Sequence, residues 1–135
     1  MPDSSPDEPR WLSRTIVDAI HDDQINSHGG LPGINNDGLI ESALARPRNR
    51  WAYGGPETDL ATLAAAYGFG IAKNHGYRDA NKRTAFMSMY VFLGLNGRRI
   101  VAEQKEVVSL MEDIAADRCA EEELASWLRS HTEPR

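Results

Sequence analysis

The sequence predicts an all-α domain. Apolar residues recur at helical spacing in six separate stretches, Gly, Pro and Asn punctuate the gaps between them, and alternating strand patterns are scarce. At 135 residues, with 41% hydrophobic and 26% charged content, the chain is sized for one domain with its own core.

The elements follow in order. Met1 to Glu8 is rich in Pro, Ser and acid and is expected to be a loose tail, leaving 9–135 as a single domain. Pro9 suits the first turn of a helix, with Asp7 as a cap, and Trp11, Leu12, Ile16, Ala19 and Ile20 form its apolar face, which Ile25 extends. Gly29-Gly30 closes that helix, and Leu31-Pro32-Gly33 continues the break. A second helix starts near Asn36-Asp37, buries Leu39, Ile40, Ala43 and Leu44, and is expected to stop at Pro47.

Arg48 to Glu57 reads as a loop or short hairpin-like flap around Gly54-Gly55-Pro56. Thr58 or Asp59 caps the next helix, whose stripe is Leu60, Leu63, Ala64, Tyr67 and Ile71. Gly68 and Gly70 cost that helix about 1 kcal/mol each relative to Ala, so they mark close approach of a neighbour. Thr84–Leu95 is apolar nearly all round and is expected to be the central helix, ended by Asn96-Gly97. Arg99-Ile100-Val101 reads as a short extended piece. Val107, Val108, Leu110, Met111 and Ile114 mark an amphipathic helix, and Leu124, Trp127 and Leu128 the last one.

A net charge of −5 argues against a general nucleic-acid binder. Locally the balance inverts. Between Lys73 and Arg83, the cations Lys73, Arg78, Lys82 and Arg83 face a single acid, Asp79, which suits a small anionic ligand. One cysteine, Cys119, permits no intrachain disulfide and fits a reducing cytoplasm. No apolar run approaches a membrane span, and the start lacks the layout of a signal peptide.

The chemistry concentrates in His75-Gly76-Tyr77-Arg78-Asp79-Ala80-Asn81-Lys82-Arg83, which opens the Thr84–Leu95 segment. First-turn N–H groups of a helix have no intrahelical partners and the dipole favours an anion there. Lys82 and Arg83 add positive charge, Asp79 is the hard oxygen ligand that Mg²⁺ prefers when it shares phosphates with a protein, and His75 can take a proton from a hydroxyl. The pattern points to transfer of part of a nucleotide. The bland alternatives are that Asp79 and Asn81 are ordinary turn and cap residues and that Lys82 and Arg83 are a solvated pair, although two cations at a helix start oppose its dipole. His21, His28 and His131 read as structural or exposed, and the Gly29–Gly33 run as a scaffold turn, since no Gly-Lys-Ser/Thr follows.

These residues resemble the signature of the Fic/Doc superfamily: a His, an aromatic two positions on, an acid, a small residue, Asn, then Gly or Lys, and Arg. Asn81-Lys82-Arg83-Thr84-Ala85-Phe86, the terminating Asn96-Gly97, and upstream Gly29-Gly30-Leu31-Pro32-Gly33 and Ile40-Glu41-Ser42-Ala43-Leu44 resemble the Doc branch, the death-on-curing toxins. That resemblance implies a compact helical bundle and a kinase that uses ATP in a reversed pose, transferring the γ-phosphate to a threonine of elongation factor Tu and halting translation. It also implies neutralisation by a Phd-type antitoxin. His75 would be the general base, Asp79 would bind Mg²⁺, and Asn81, Lys82 and Arg83 would hold phosphates.

Fic relatives that transfer AMP usually carry Gly where this chain has Lys82 and Arg where it has Phe86, so AMP transfer is the second reading. A non-catalytic nucleotide- or partner-binding module is the third. Gly76 and Tyr77 depart from an apolar residue and the commoner Phe, and a buried Tyr hydroxyl needs a partner. In relatives the region of Arg48 to Glu57 is a flap that docks the target by strand addition; a solvated loop is the rival reading. The self-inhibitory pattern Ser/Thr-x-x-x-Glu-Gly/Asn is matched only weakly, by Ser4-Ser5-Pro6-Asp7-Glu8-Pro9, so control in trans is expected.

Overall fold

A computed structural model describes residues 8–135, so the expected Asp7 cap and most of the expected tail lie outside the described residues. Six helices follow: α1 (Arg14–His28), α2 (Asp37–Gly54), α3 (Leu60–Asn74), α4 (Asn81–Leu95), α5 (Gln104–Ala115) and α6 (Glu121–Ser130). Two short strands, β1 (Arg98–Ile100) and β2 (Thr132–Pro134), pair antiparallel with Ile100 opposite Thr132. The all-α class predicted from the sequence is what the chain adopts.

Most helix starts are written in the sequence. Ser13, Asn36 and Asp59 cap α1, α2 and α3 by accepting the N–H of Ile16, Leu39 and Thr62. The first helix therefore begins at Arg14 rather than near Pro9. Leu12 is still buried, but on an extended segment fixed where its N–H donates to the Tyr67 hydroxyl at 2.9 Å. Trp11 beside it stacks on Phe92, with ring centroids 6.2 Å apart.

The expected stop at Pro47 and the hairpin-like flap over 48–57 are corrected. α2 runs through Pro47 to Gly54, and a single 3-10 turn covers Gly55–Glu57. Proline deletes one helical hydrogen bond, but tertiary contacts on the following turn outweigh that loss. The Pro47 ring is buried, Trp51 meets Trp11 edge to face at 6.4 Å, and Arg46 and Arg50 both bind Glu121 of α6. No strand for a docking flap exists there among the described residues.

The central helix is α3, not α4. α3 packs against α2, α4 and α6, and most of its residues are buried. Its small side chains make this possible. A Cβ on Gly68 would lie 2.3 Å from Met89 Sδ, and one on Gly70 would lie 3.2 Å from the Ala43 backbone, so both glycines admit the neighbouring helices as their cost implied. α4 buries Ala85, Ser88, Met89, Phe92 and Leu93 but leaves Tyr90 and Leu95 exposed. α4 also starts three residues earlier than expected, which places Lys82 and Arg83 on its first turn.

Candidate active site

The nine-residue motif spans the end of α3, a tight loop and the start of α4. Both ends of the loop are conformationally costly. His75, which follows α3, has φ +53°, and Ala80, which precedes α4, has φ +61°, left-handed values that non-glycine residues avoid. Such a loop persists only where surrounding contacts over-determine it.

Those contacts come from every side. The Asn35 side chain donates to the His75 carbonyl, and the N–H groups of Asn35 and Asn36 donate to Gly76 O at 2.8 and 3.0 Å. Gly76 sits under α2 so closely that a Cβ would come within 2.4 Å of Ile40 Cγ1 and 3.1 Å of its backbone nitrogen. Gly76, a departure from the family pattern, is therefore the residue that this contact requires. Asn81 clamps Tyr77 from the other side, accepting its N–H at 3.1 Å and donating to its carbonyl at 2.9 Å.

The Asn81 amide is thus buried and committed to the loop, on the side away from solvent. His21, read from the sequence as a bystander, is 2% exposed, stacks on the Tyr77 ring at 3.9 Å, and donates from Nε2 to the Asp79 carbonyl at 2.9 Å. Because the partner is a carbonyl, that nitrogen carries the proton.

Asp79 is partly exposed at the mouth of the loop. Oδ1 accepts the Ala80 N–H at 2.8 Å and Oδ2 accepts the Leu31 N–H at 3.0 Å. These hydrogen bonds, Leu31 first, with smaller help from the charges of Arg83 and His21, hold its carboxyl below the usual carboxylate range. The Gly29–Gly33 turn is a scaffold turn as expected, but one wired directly to the site. A Cβ on Gly30 would lie 2.9 Å from Asp79 Oδ2 and 3.3 Å from Arg83 Nη2. Arg83 in turn donates to the Gln24 and Gly29 carbonyls at 3.3 and 3.0 Å, satisfying the C-terminal end of α1.

The start of α4 differs from those of α1, α2 and α3. Ala80 offers no oxygen, and no side chain caps the first turn. Lys82 is exposed there, and both Lys82 and Arg83 line a groove of about 760 Å³. Gln24 and His28 of α1, Phe86, Met87 and Tyr90 of α4 and Val107, Val108 and Met111 of α5 complete much of its wall. The result is a cationic, donor-rich helix end at the edge of an apolar trough, chemistry that suits an anion at one end and an apolar group at the other.

Asp79, Arg83 and Lys82 thus gather at one corner. The imidazole of His75 is exposed at the other end of the loop, with no hydrogen-bond partner among the described residues. No group of three or more His, Cys, Asp and Glu side chains able to hold a metal occurs among the described residues. The donor set nevertheless suits Mg²⁺ shared with phosphates, which needs only one or two carboxylates and keeps several waters; each Asp79 oxygen retains a lone pair beyond its N–H partner.

Sequence reasoning read His21 as structural or exposed and Gly30 and Leu31 as part of a scaffold turn without linking either to Asp79, and it passed over the Arg14–Asp18 pair. Only the last had a local signal, opposite charges four apart on a helix.

A family model described as Fic/DOC family matches residues 11–93. The chain is similar to the protein named Protein kinase doc of Escherichia phage P1, with 35% identity over 120 residues, 89% of this chain and 94% of that protein. It is also similar to Toxin Doc of Mycolicibacterium smegmatis, with 33% identity over 103 residues, 74% of this chain and 78% of that one.

Proposed function

Since the chain belongs to the Fic/Doc family, we propose that it is a toxin that transfers the γ-phosphate of ATP to a protein hydroxyl, a threonine of elongation factor Tu, and so halts translation. The observation that carries this reading is the first turn of α4. It is uncapped, bears Lys82 and Arg83 against its own dipole, and abuts the Asp79 carboxylate. An anion there relieves both the unmet N–H groups and the repulsion.

In the proposed reaction His75 accepts the proton of the acceptor hydroxyl as its oxygen bonds to the γ-phosphorus. The bond from that phosphorus to the β–γ bridging oxygen breaks, and ADP leaves with the electron pair. Lys82 and the α4 N–H groups hold the phosphate oxygens, with Arg83 fixing the corner. Asp79 would hold Mg²⁺, which supplies charge neutralisation on the phosphates. The Asn81 side chain clamps the loop through Tyr77, so its part in holding phosphate would fall to its main-chain N–H on the first turn of α4. Control falls to a Phd-type antitoxin.

Incubating the protein with elongation factor Tu, Mg²⁺ and ATP labelled at either the α or the γ position tests the chemistry. Mass spectrometry should find one added phosphate on a threonine, carrying the γ label and lost in His75→Ala. Added AMP carrying the α label would replace this reading by AMP transfer. Absence of any modification, together with no growth arrest on expression, would replace it by a non-catalytic binding module.

A further inference from the structure

We propose that Asp18 is a positioning residue for the reaction, latching the His75–Asp79 loop through the hydroxyl of Tyr77; the assignment rests on the phosphoryl-transfer reading above. Tyr77 lies midway between the proton acceptor and the metal-capable carboxylate, and its side chain is 3% exposed. Its hydroxyl donates to Asp18 Oδ1 at 2.6 Å. The same oxygen accepts Arg14 Nε at 2.9 Å, and the remaining guanidinium nitrogens reach Glu41 at 2.6 Å and Asp37 at 2.7 Å. One chain of contacts therefore runs from the centre of the motif to α1 and on to the first turns of α2.

This answers why a Tyr stands where relatives favour Phe. A phenylalanine would need only apolar surroundings, whereas the hydroxyl adds a directional tether at the deepest point of the loop. The tether has something to hold, because the backbone at His75 and Ala80 is left-handed and does not maintain itself. Acid and base around the latch are balanced without it. Arg14 keeps Asp37 and Glu41 when Asp18 is removed, and His21, stacked on the other face of Tyr77, is bonded to the Asp79 carbonyl. Loss of Asp18 alone thus leaves the Tyr77 hydroxyl beside only the Arg14 guanidinium, itself a donor, so the hydroxyl proton loses its acceptor and the loop its tether to α1.

Because both residues act through one bond, a double-mutant cycle supplies the test. The full-length wild type, Asp18→Ala, Tyr77→Phe and the double variant are compared by amide hydrogen exchange over 75–83 and by the kinetics of γ-phosphate transfer. Asp18→Ala is expected to speed exchange in the motif about tenfold while the interiors of α3 and α4 keep wild-type protection, and to lower kcat about tenfold with KM for ATP unchanged. Tyr77→Phe, which removes the same bond from its other end, should loosen and slow the site to a similar extent, and the double variant should be no worse than either single, because all three lose one shared interaction.

A double variant whose losses are the sum of those of the two singles overturns the latch, as does a double variant restored to wild-type exchange and kcat. So does wild-type exchange and kcat in Asp18→Ala or in Tyr77→Phe, or a rise in exchange spread evenly over every helix. If wild type transfers no phosphate yet the exchange pattern and its non-additivity appear, the latch holds and the proposed chemistry is what fails.

Discussion

Replacing Gly30 with Ala separates a turn that belongs to the site from one that merely connects two helices. Gly30 has φ +123°, and a Cβ there would meet Asp79 Oδ2 at 2.9 Å, Ile25 Cδ1 at 3.0 Å and Arg83 Nη2 at 3.3 Å. Backbone strain alone costs an alanine in such a region roughly 1–3 kcal/mol. For a domain of this size that lowers the melting temperature by roughly 4–10 °C. The contacts act on chemistry as well as stability. Asp79 can retreat only by releasing the Leu31 N–H, and Arg83 only by leaving the Gly29 carbonyl.

Gly29 is the matched control, since its φ is +82° and a Cβ there meets nothing within 4 Å. Thermal unfolding should place both variants below wild type, Gly30→Ala the lower because its Cβ also meets Asp79 and Ile25. Transfer of labelled γ-phosphate, measured well below either melting point, should fall at least about tenfold in Gly30→Ala and no more than about threefold in Gly29→Ala, by the sensitivity of catalysis to small displacements. Equal losses of activity, or none in Gly30→Ala, would refute the claim that this turn sets the position of Asp79 and Arg83.

Three further perturbations test other parts of the argument. Gly68→Ala puts a methyl 2.3 Å from Met89 Sδ and should destabilise the fold by roughly 1–3 kcal/mol in denaturant unfolding, with part of that recovered when Met89 is also shortened to Val. Asp59, bonded to Arg129 of α6 and to Thr62, is held down to about 2. A depressed carboxyl gives stability that is present above its unfolded value of 3.8 and lost as pH falls toward 2, so Asp59→Asn should melt lower than wild type at pH 6 and converge with it between pH 4 and 2. The pair is nearly half exposed, so the gap at pH 6 should be about 1 kcal/mol. Lys82→Ala should raise the melting temperature slightly by removing a cation from the α4 start, while weakening ATP binding by calorimetry; a lower melting temperature with unchanged binding would contradict the phosphate assignment.

Helix boundaries were legible wherever the signal is local. Asn36, Asp59, Gly29 and Gly97 mark ends because a short side-chain acceptor or a positive φ is a property of one residue and its immediate neighbours. Pro47 misled for the complementary reason: its neighbours argue for a stop, but the contacts that continue α2 come from Trp11 and from Glu121, 36 and 74 positions away. The pairing of β1 with β2 was hidden in the same way, since three-residue strands show no alternation of their own. Within the site, the motif named the residues and their neighbourhood. It did not reveal that His21 and Leu31 hold Asp79 or that Tyr77 has Asp18 as its partner, because those bonds join the loop to α1 or to the turn after it; nor that Asn81 faces inward, because its bonds to Tyr77 depend on the loop conformation.

The local conflicts of this chain fall together. Among the described residues three non-glycine positions have left-handed backbone, and two of them, His75 and Ala80, bracket the motif loop; the third, Asp117, lies in a surface turn beside Lys73. The helix that begins directly from that loop places two cations on an uncapped first turn, whereas α1, α2 and α3 each begin with a matched side-chain acceptor. Arg83 has a structural return, since it also closes the end of α1, but the Lys82 ammonium has no hydrogen-bond or ion-pair partner among the described residues to offset its position. Retention of these features, surrounded by hydrogen bonds that serve to hold the strained loop in place, is what a site looks like when its missing partner is an anion rather than another side chain. On the proposed phosphoryl-transfer reading, phosphate would complete the first turn of α4 as Ser13, Asn36 and Asp59 complete those of α1, α2 and α3, and relief of the unfavourable charge there would add to substrate binding.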